Sequence, residues 1–528
     1  MNQQNPIVSK YARHFFSGTL LSRISGMVRD MSMAAIFGDH SSVAAFMVAF
    51  RFSHFLRRLL SEGTMQSIFI PHYEELRLKN ASSANGFFFR LYVLLITLLL
   101  VIVLTVEIPL GLNGFTVFSS EKEVVYLFAW MFPSLIFISL YGLNISLLQC
   151  RNSFFTSSVA PFACNVIWIL AVFLFAKQDA SKAMVNLAIF ILIGFFIQWL
   201  ITLPKTWTVL AEGRRNYAPP LFSIPREIRT IGKATLFGMI GVTAVQINSF
   251  LDMLFARYAD LKGPIYLWYA IRLEQLPLAL IGFACVYSLI PSLSRLIKAQ
   301  ELQQAQELFF FGYKRIFLLV VPCTFALVAL GLVSVNLLFG RGHFSSFAVM
   351  QTTLCLWAYG LSLLPSTLIV YQSSLFYAFG DFKTPTIASL VSVAANILLN
   401  ALFVFYFHWG AISIALSTSF SSCLNYWILK RAFLQKGYWP IAYPKFSQFL
   451  KLFIISGTAS LCCIGLDYFF LKIFHASPRT FAEQTMHFFG QLTLFVTVFI
   501  TGLFLLDKQT LFTIKNQIFS RETTLSID

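Results

Sequence analysis

The feature that most constrains this chain is a succession of about fourteen apolar segments, each near the roughly 20 residues a helix needs to cross a bilayer. They run at about 15–37, 43–71, 87–110, 124–149, 157–177, 184–207, 233–258, 264–291, 316–339, 347–377, 385–407, 411–430, 452–472 and 486–506. Inside a bilayer every peptide group must find its partner within the protein, so segments of this length are expected to be helices. Composition points the same way. Of 528 residues 57% are hydrophobic and 12% charged, with a mean hydropathy of +0.73, more apolar surface than a soluble chain of this size can bury. The expected fold class is an all-α polytopic membrane protein of about 14 transmembrane helices.

The net charge of +17 would suggest a nucleic-acid partner in a soluble protein. Here most Lys and Arg fall in alternate loops and tails, among them charged inner loops from Glu74 to Arg90 and from Arg295 to Arg315, the pattern that sets membrane orientation, so no nucleic-acid partner is implied. An even number of spans places both termini in the cytoplasm. Lys10 and Arg13 precede a long span with no small-residue cleavage site after a short apolar core, so the first segment reads as a span and not a signal peptide. The eight cysteines form no C-x-x-C pair and read as small core residues.

Polar stretches divide the chain into an N-terminal lobe (1–210), a cytoplasmic linker (211–232), a C-terminal lobe (233–431) and a second linker followed by two last spans and a tail (432–528). The two six-helix lobes carry a weak repeat. Ser146-Leu147 followed by Phe154-x-Thr156 matches Ser374-Leu375 followed by Phe382-x-Thr384, at a constant offset of 228. Same-sense repeats of this kind imply two lobes around a central cavity.

Charge inside the apolar segments is the chemical signal. Arg51, Arg58 and Glu62 share one helical face, while Arg57 points elsewhere unless the nearby Gly63 breaks the helix. The preceding segment brings Arg23, Arg29 and Asp30 to bilayer depth. Each such charge costs about 2.5–3.5 kcal/mol on insertion scales and must face a wet cavity or a partner. Five arginines against two carboxylates leave excess positive charge that an anionic ligand would neutralise. The plainer alternative is that the arginines snorkel to the cytoplasmic interface and only set topology. Arg272, in the eighth span, would add a cation from the second lobe. Glu274 is two residues away, on the opposite helix face, and Pro277 can break the helix there. Asp252 with Asn396 and Asn400 offers oxygens either for Na⁺ or for a helix–helix hydrogen-bond network. No other cofactor is suggested. Enzyme motifs are missing: there is no H-E-x-x-H, no phosphate-cradling G-x-x-x-x-G-K-[ST] and no G-x-S-x-G, and Glu74-Glu75 reads as a solvated pair. His54, within the arginine face, reads as a packing or hydrogen-bonding residue and not as a proton shuttle.

Several blocks resemble one family. Ser17-Gly18-Thr19-Leu20-Leu21-Ser22-Arg23 through Gly26-Met27-Val28-Arg29-Asp30, and Ala45-Phe46-Met47-Val48-Ala49-Phe50 through Leu56-Arg57-Arg58-Leu59-Leu60-Ser61-Glu62-Gly63, are similar to the opening of the MurJ/MviN lipid II flippases. Tyr269-Ala270-x-Arg272-Leu273, Ile290-Pro291-Ser292-Leu293-Ser294, Leu338-Phe339-x-Arg341-Gly342-x-Phe344 and Asp381-x-Lys383-Thr384-Pro385 follow in order.

The resemblance implies a transporter of the multidrug/oligosaccharidyl-lipid/polysaccharide superfamily in the bacterial cytoplasmic (inner) membrane. It would move the undecaprenyl-diphosphate-linked peptidoglycan precursor, lipid II, from the inner to the outer leaflet. Arg23, Arg29, Arg57 and Arg272 would bind the substrate, and Asp30, Arg51, Arg58 and Glu62 would gate or brace the cavity. The last two spans would form a groove for the lipid tail. Membrane lipids, and cell-wall synthesis or division proteins, would be its partners. Ala44, Ile271 and Asn400 stand where relatives often carry acids. A flippase for another polyprenyl-linked glycan would need the same diphosphate site. A drug or cation antiporter of this fold should have an acidic cavity, and a membrane glycosyltransferase would need carboxylates at the outer face.

Overall fold

A computed structural model describes residues 6–60, 64–112, 120–151, 153–215, 233–438, 446–474, 480–508 and 512. The described residues form helices and turns, with no strand among them. Among the described residues ten helices are long and apolar enough to cross a membrane. The apolar pair Lys122–Met131 and Ser134–Cys150, bent by 46° at Phe132-Pro133, brings the number to eleven when counted as one broken span. The expected count of fourteen includes three further helices, Pro6–Phe37, Ser41–Leu60 and Lys233–Ala259. The first two carry the arginine cluster.

Two inner segments expected to be loops are largely helical. Between Glu74 and Arg90 only Asn80 interrupts the helices Thr64–Lys79 and Ala81–Leu112, and its Oδ1 accepts from the Ser82 N–H at 2.9 Å. Between Arg295 and Arg315 the break is confined to Ala299-Gln300-Glu301, after which one helix runs Leu302–Phe339. Gln, Glu, Lys and Arg lower hydropathy but are good helix formers, so the helices continue beyond the apolar stretch. The linker at 211–232 lies outside the described residues from 216 on.

By internal packing the chain divides into two compact units, residues 1–257 with 342–344, and residues 258–341 with 345–528. In the first, Pro6–Phe37 packs along Phe154–Leu174, which in turn packs on Ala180–Arg215. Phe69, Tyr73, Phe88, Leu99, Leu143 and Val209 form part of its core. Backbones approach closely at Gly213, where an added Cβ would collide with the Asn85 carbonyl oxygen. In the second unit Leu302–Phe339 is the central helix. Tyr371, stacked on Phe309 at 5.2 Å, donates to the Phe309 carbonyl at 3.1 Å. The last two helices, Leu450–Phe474 and Phe481–Leu506, dock on the central helix through Ala329, Leu330 and Val333 against Ala459, Cys463 and Phe495. Within that pair the buried Asp467 accepts hydrogen bonds from Gln491 and from His487 Nε2, the latter at 2.7 Å.

The weak sequence repeat has a counterpart in hydrogen bonding. In each unit it spans a turn between two helices, Ser134–Cys150 to Phe154–Leu174 and Leu363–Ala378 to Lys383–Ala401. A lysine from a third helix straps each turn. Lys205 donates to Ser153 Oγ at 2.8 Å and Thr156 Oγ1 at 2.7 Å. Lys436 donates to Asp381, which also accepts from Thr384 N at 3.0 Å, Thr384 Oγ1 at 2.7 Å and Tyr438 Oη at 3.1 Å. Gly437, at φ 59°, ends the helix Ile412–Lys436 in the left-handed conformation, so Lys436 and Tyr438 both reach Asp381.

Burial alone would push the Asp381 carboxyl up, but the hydrogen bonds from Lys436 and Thr384 outweigh it and hold it at about 2. A depressed carboxylate stabilises the fold above its unfolded value and loses that contribution as pH falls through its folded one, here between about pH 4 and about pH 2. With the Lys436 side chain 42% exposed, Asp381→Asn should cost no more than about 1–2 kcal/mol. Thermal unfolding of the purified chain should show the parent losing its advantage over the variant across that acid window.

Candidate functional site

Arg29 is the best-defined arginine. It is 7% exposed, and its Nε and one terminal nitrogen both donate to Asp30 Oδ1, at 2.9 and 2.7 Å. The other terminal nitrogen donates to Asn165 Oδ1 at 3.0 Å. Its guanidinium carbon lies 4.3 Å from the centre of the Trp168 ring, a cation–π contact that substitutes for hydration. Asn165 is in turn oriented by donating to Ser25 Oγ at 2.9 Å and to the Ser22 carbonyl at 3.1 Å. Trp168 meets Phe46 and Phe50 edge-on, at 5.5 and 4.8 Å, which ties the second helix to the same cluster.

The partners Asn165 and Trp168 were missed by the sequence reading. The available signal was an asparagine and a tryptophan three residues apart in the apolar run Phe162-Ala163-Cys164-Asn165-Val166-Ile167-Trp168. That spacing puts both on one helix face.

The other sequence-selected residues of this unit differ in setting. Arg23, on the same helix as Arg29, is exposed and makes no hydrogen bond or ion pair among the described residues. Arg51 is half-buried and donates to Ser249 Oγ. Arg57 and Arg58 belong to the helix Ser41–Leu60, but their side chains, and that of His54, lie outside the described set, as does Glu62 entirely. Asp252 is buried and accepts from Asn248 Nδ2 at 3.3 Å.

In the second unit Arg272 is half-buried with its guanidinium 4.8 Å from the Trp268 ring centre. Glu274 is 7% exposed and makes no ion pair with it. Asn396 and Asn400 are fully buried. Asn400 donates to Asn396 Oδ1 at 2.8 Å, and Asn396 donates weakly to Thr418 Oγ1 and Ser421 Oγ, both at 3.4 Å. Ser392 continues the seam by donating to the Ser421 carbonyl at 2.7 Å. These contacts have the form of a helix–helix hydrogen-bond network. Among the described residues no group of three or more His, Cys, Asp or Glu is arranged to hold a metal ion.

The family profile described as lipid II flippase MurJ matches residues 33–477. The chain belongs to that family. It is 33% identical to the probable lipid II flippase MurJ of Chlamydia trachomatis over 392 residues, covering 74% of this chain and 72% of the relative. It is 34% identical to that of Chlamydia muridarum over 412 residues, covering 78% and 75%. Among solved structures the fold is similar to a lipid II flippase MurJ in an inward closed conformation, with a TM-score of 0.73 and 23% identity over 96% of this chain and 99% of that one. It is also similar to an inward-facing multidrug resistance MATE family transporter of the MOP superfamily, with a TM-score of 0.63 and 14% identity over 80% and 99% of the two chains. The family is one of transporters, not enzymes, and the chain is a multi-pass membrane protein.

The geometry separates two kinds of arginine. Arg29 is built into the packing of three helices, whereas Arg23 presents its charge outward. Asp30→Asn should leave a buried guanidinium without its carboxylate and destabilise the chain by about 3–5 kcal/mol. Arg23→Ala should change stability by less than about 0.5 kcal/mol. Thermal unfolding of both variants in one detergent checks the contrast, and equal losses would refute it.

Proposed function

We propose that the chain flips lipid II from the inner to the outer leaflet of the bacterial cytoplasmic membrane by alternating access, with both termini in the cytoplasm. The last two helices guide the lipid tail. The diphosphate is recognised by Arg23, Arg57 and Arg272 through charge-assisted, partly bidentate hydrogen bonds. Arg29 holds the surrounding helices in register and joins the ligand when the cavity closes on it. Asp30 balances Arg29, while Arg51, Arg58 and Glu62 brace or gate the path.

The observation that carries this reading is Arg23. It is an exposed guanidinium without an ion pair among the described residues, on a helix whose neighbouring positions Leu20, Leu21 and Ile24 are also exposed. A charge so placed is costly without a ligand and is neutralised by an anion. The membrane potential supplies a direction. With the inside negative, each negative charge carried outward is favoured by about 2.3 kcal/mol per 100 mV, and an emptied arginine-lined cavity is drawn back inward by the same field. Membrane lipids, and cell-wall synthesis or division proteins, are the partners this role would bring. The Asn396–Asn400 seam serves helix association in this scheme, so flipping should proceed alike in Na⁺ and in K⁺.

The test is lipid II translocation in cells depleted of their own flippase, with the parent compared with Arg23→Ala, Arg57→Ala and Arg272→Ala at matched expression. The parent should rescue, and each variant should accumulate lipid II in the inner leaflet with a loss of at least about tenfold, the equivalent of one charge-assisted contact. Equal rescue by all four would make the arginines topological anchors and remove the diphosphate site.

A further inference from the structure

Glu274 is a carboxyl that the proposed diphosphate site does not use. It lies on the helix Gly263–Pro277, which continues through a π-helical turn, Leu278–Phe283, into Ala284–Lys298 as one long apolar span. Its exposure is 7%, and it makes no hydrogen bond or ion pair among the described residues. On its own helix the nearest charge is Arg272, two positions back and so turned to another face, with its guanidinium against Trp268.

Arg315, on the central helix Leu302–Phe339, acts on Cys285 in the C-terminal part of this span, eleven residues beyond Glu274; the segments packed nearer Glu274 bring no charge among the described residues. Ser346–Gly360, Leu363–Ala378 and the 316–339 part of the central helix contain no Asp, Glu, Lys, Arg or His. The titratable groups on them are Cys323, Cys355, Tyr359, Tyr371 and Tyr377, thiols and phenols that are neutral across the physiological range. Within the span itself Tyr266, Tyr269, Cys285 and Tyr287 are of the same kind. An ionised carboxylate enclosed this way would lose its hydration and gain no counter-charge from the described residues, so its stable form there is the neutral acid.

We propose that Glu274 is a proton-binding site coupled to the movement of this span. In the present conformation the carboxyl carries its proton. Three residues on, Pro277 has no N–H to donate, and the π turn absorbs one extra residue in the backbone ladder. Converting that turn to regular α-helix would shift the register of the segment before it by one residue, a rotation of about 100°. The rotation carries Glu274 out of its apolar enclosure toward water. There the O–H bond breaks, the proton passes to water, and the carboxylate is left hydrated; nothing is oxidised or reduced. The return swing requires a proton to be taken up again. Each conformational cycle thus binds and releases one proton at this position.

The coupling to transport rests on the flippase reading, whereas the proton site itself does not. Difference infrared spectroscopy of the full chain in lipid nanodiscs at neutral pH therefore comes first, comparing the parent with the near-isosteric Glu274→Gln. The parent should show a carboxylic-acid C=O band that the variant lacks, with equal helix content by circular dichroism. Loss of an ionised carboxylate band instead would overturn the proposal. Lipid II flipping in proteoliposomes comes second. The parent's rate should change by up to about tenfold per pH unit, the limit for a single proton, over a window that Glu274→Gln flattens. An unchanged pH profile in the variant would overturn the coupling. If the infrared band is present but the parent moves no lipid II, the proton site stands and the flippase reading falls.

Discussion

The cost of holding a charge at bilayer depth governs this structure. An ionised side chain there needs a counter-charge, an aromatic face, water or a ligand, and the described residues use several of these solutions. Arg29 combines a carboxylate, an amide oxygen and the face of Trp168. Arg272 uses Trp268, and Asp467 draws on His487 and Gln491. Arg23 has no such protein partner among the described residues, and that difference makes it informative about function.

The two compact units solve one local problem in two chemical ways. Each must hold a short turn between two helices against a third, and each does so with a lysine. In the second unit the acceptor is Asp381, itself ordered by Thr384 and Tyr438. In the first, Ser153 stands at the position 228 residues earlier, and the lysine is satisfied by two neutral hydroxyls. Both lysines make charge-assisted bonds, but only Lys436 meets an opposite charge, so the second turn gains a Coulombic attraction that the first lacks. The four identities seen in sequence therefore mark a shared architecture whose energetics have diverged.

Helix class was legible in the sequence because hydropathy over 20 residues is a strong signal. Helix ends were not. At Glu74 to Arg90 and at Arg295 to Arg315 polarity was read as loop, although those residues favour helix and only Asn80 and Ala299-Gln300-Glu301 break it. The separation of Arg272 from Glu274 followed from their two-residue spacing, and the Asn396–Asn400 contact from a spacing of four. The Arg29–Asp30 bond did not follow from helical spacing, since neighbours in sequence reach each other only by bending both side chains to one side. Asn165 and Trp168 lie 136 and 139 positions from Arg29, and nothing local to either segment shows that the two helices meet.

Asn165 has a mechanical consequence. Its amide accepts from Arg29 and donates to Ser25 and to the Ser22 carbonyl, so it grips the neighbouring helix at two successive turns. Sliding one helix along the other by a single turn, about 5.4 Å, would break all three bonds and part the guanidinium from the Trp168 ring, while its bond to Asp30, on its own helix, would remain. The helices Pro6–Phe37 and Phe154–Leu174 are therefore keyed like a splined shaft. Any rearrangement of this unit must carry the pair as one rigid lever, with bending confined to the segments beyond it.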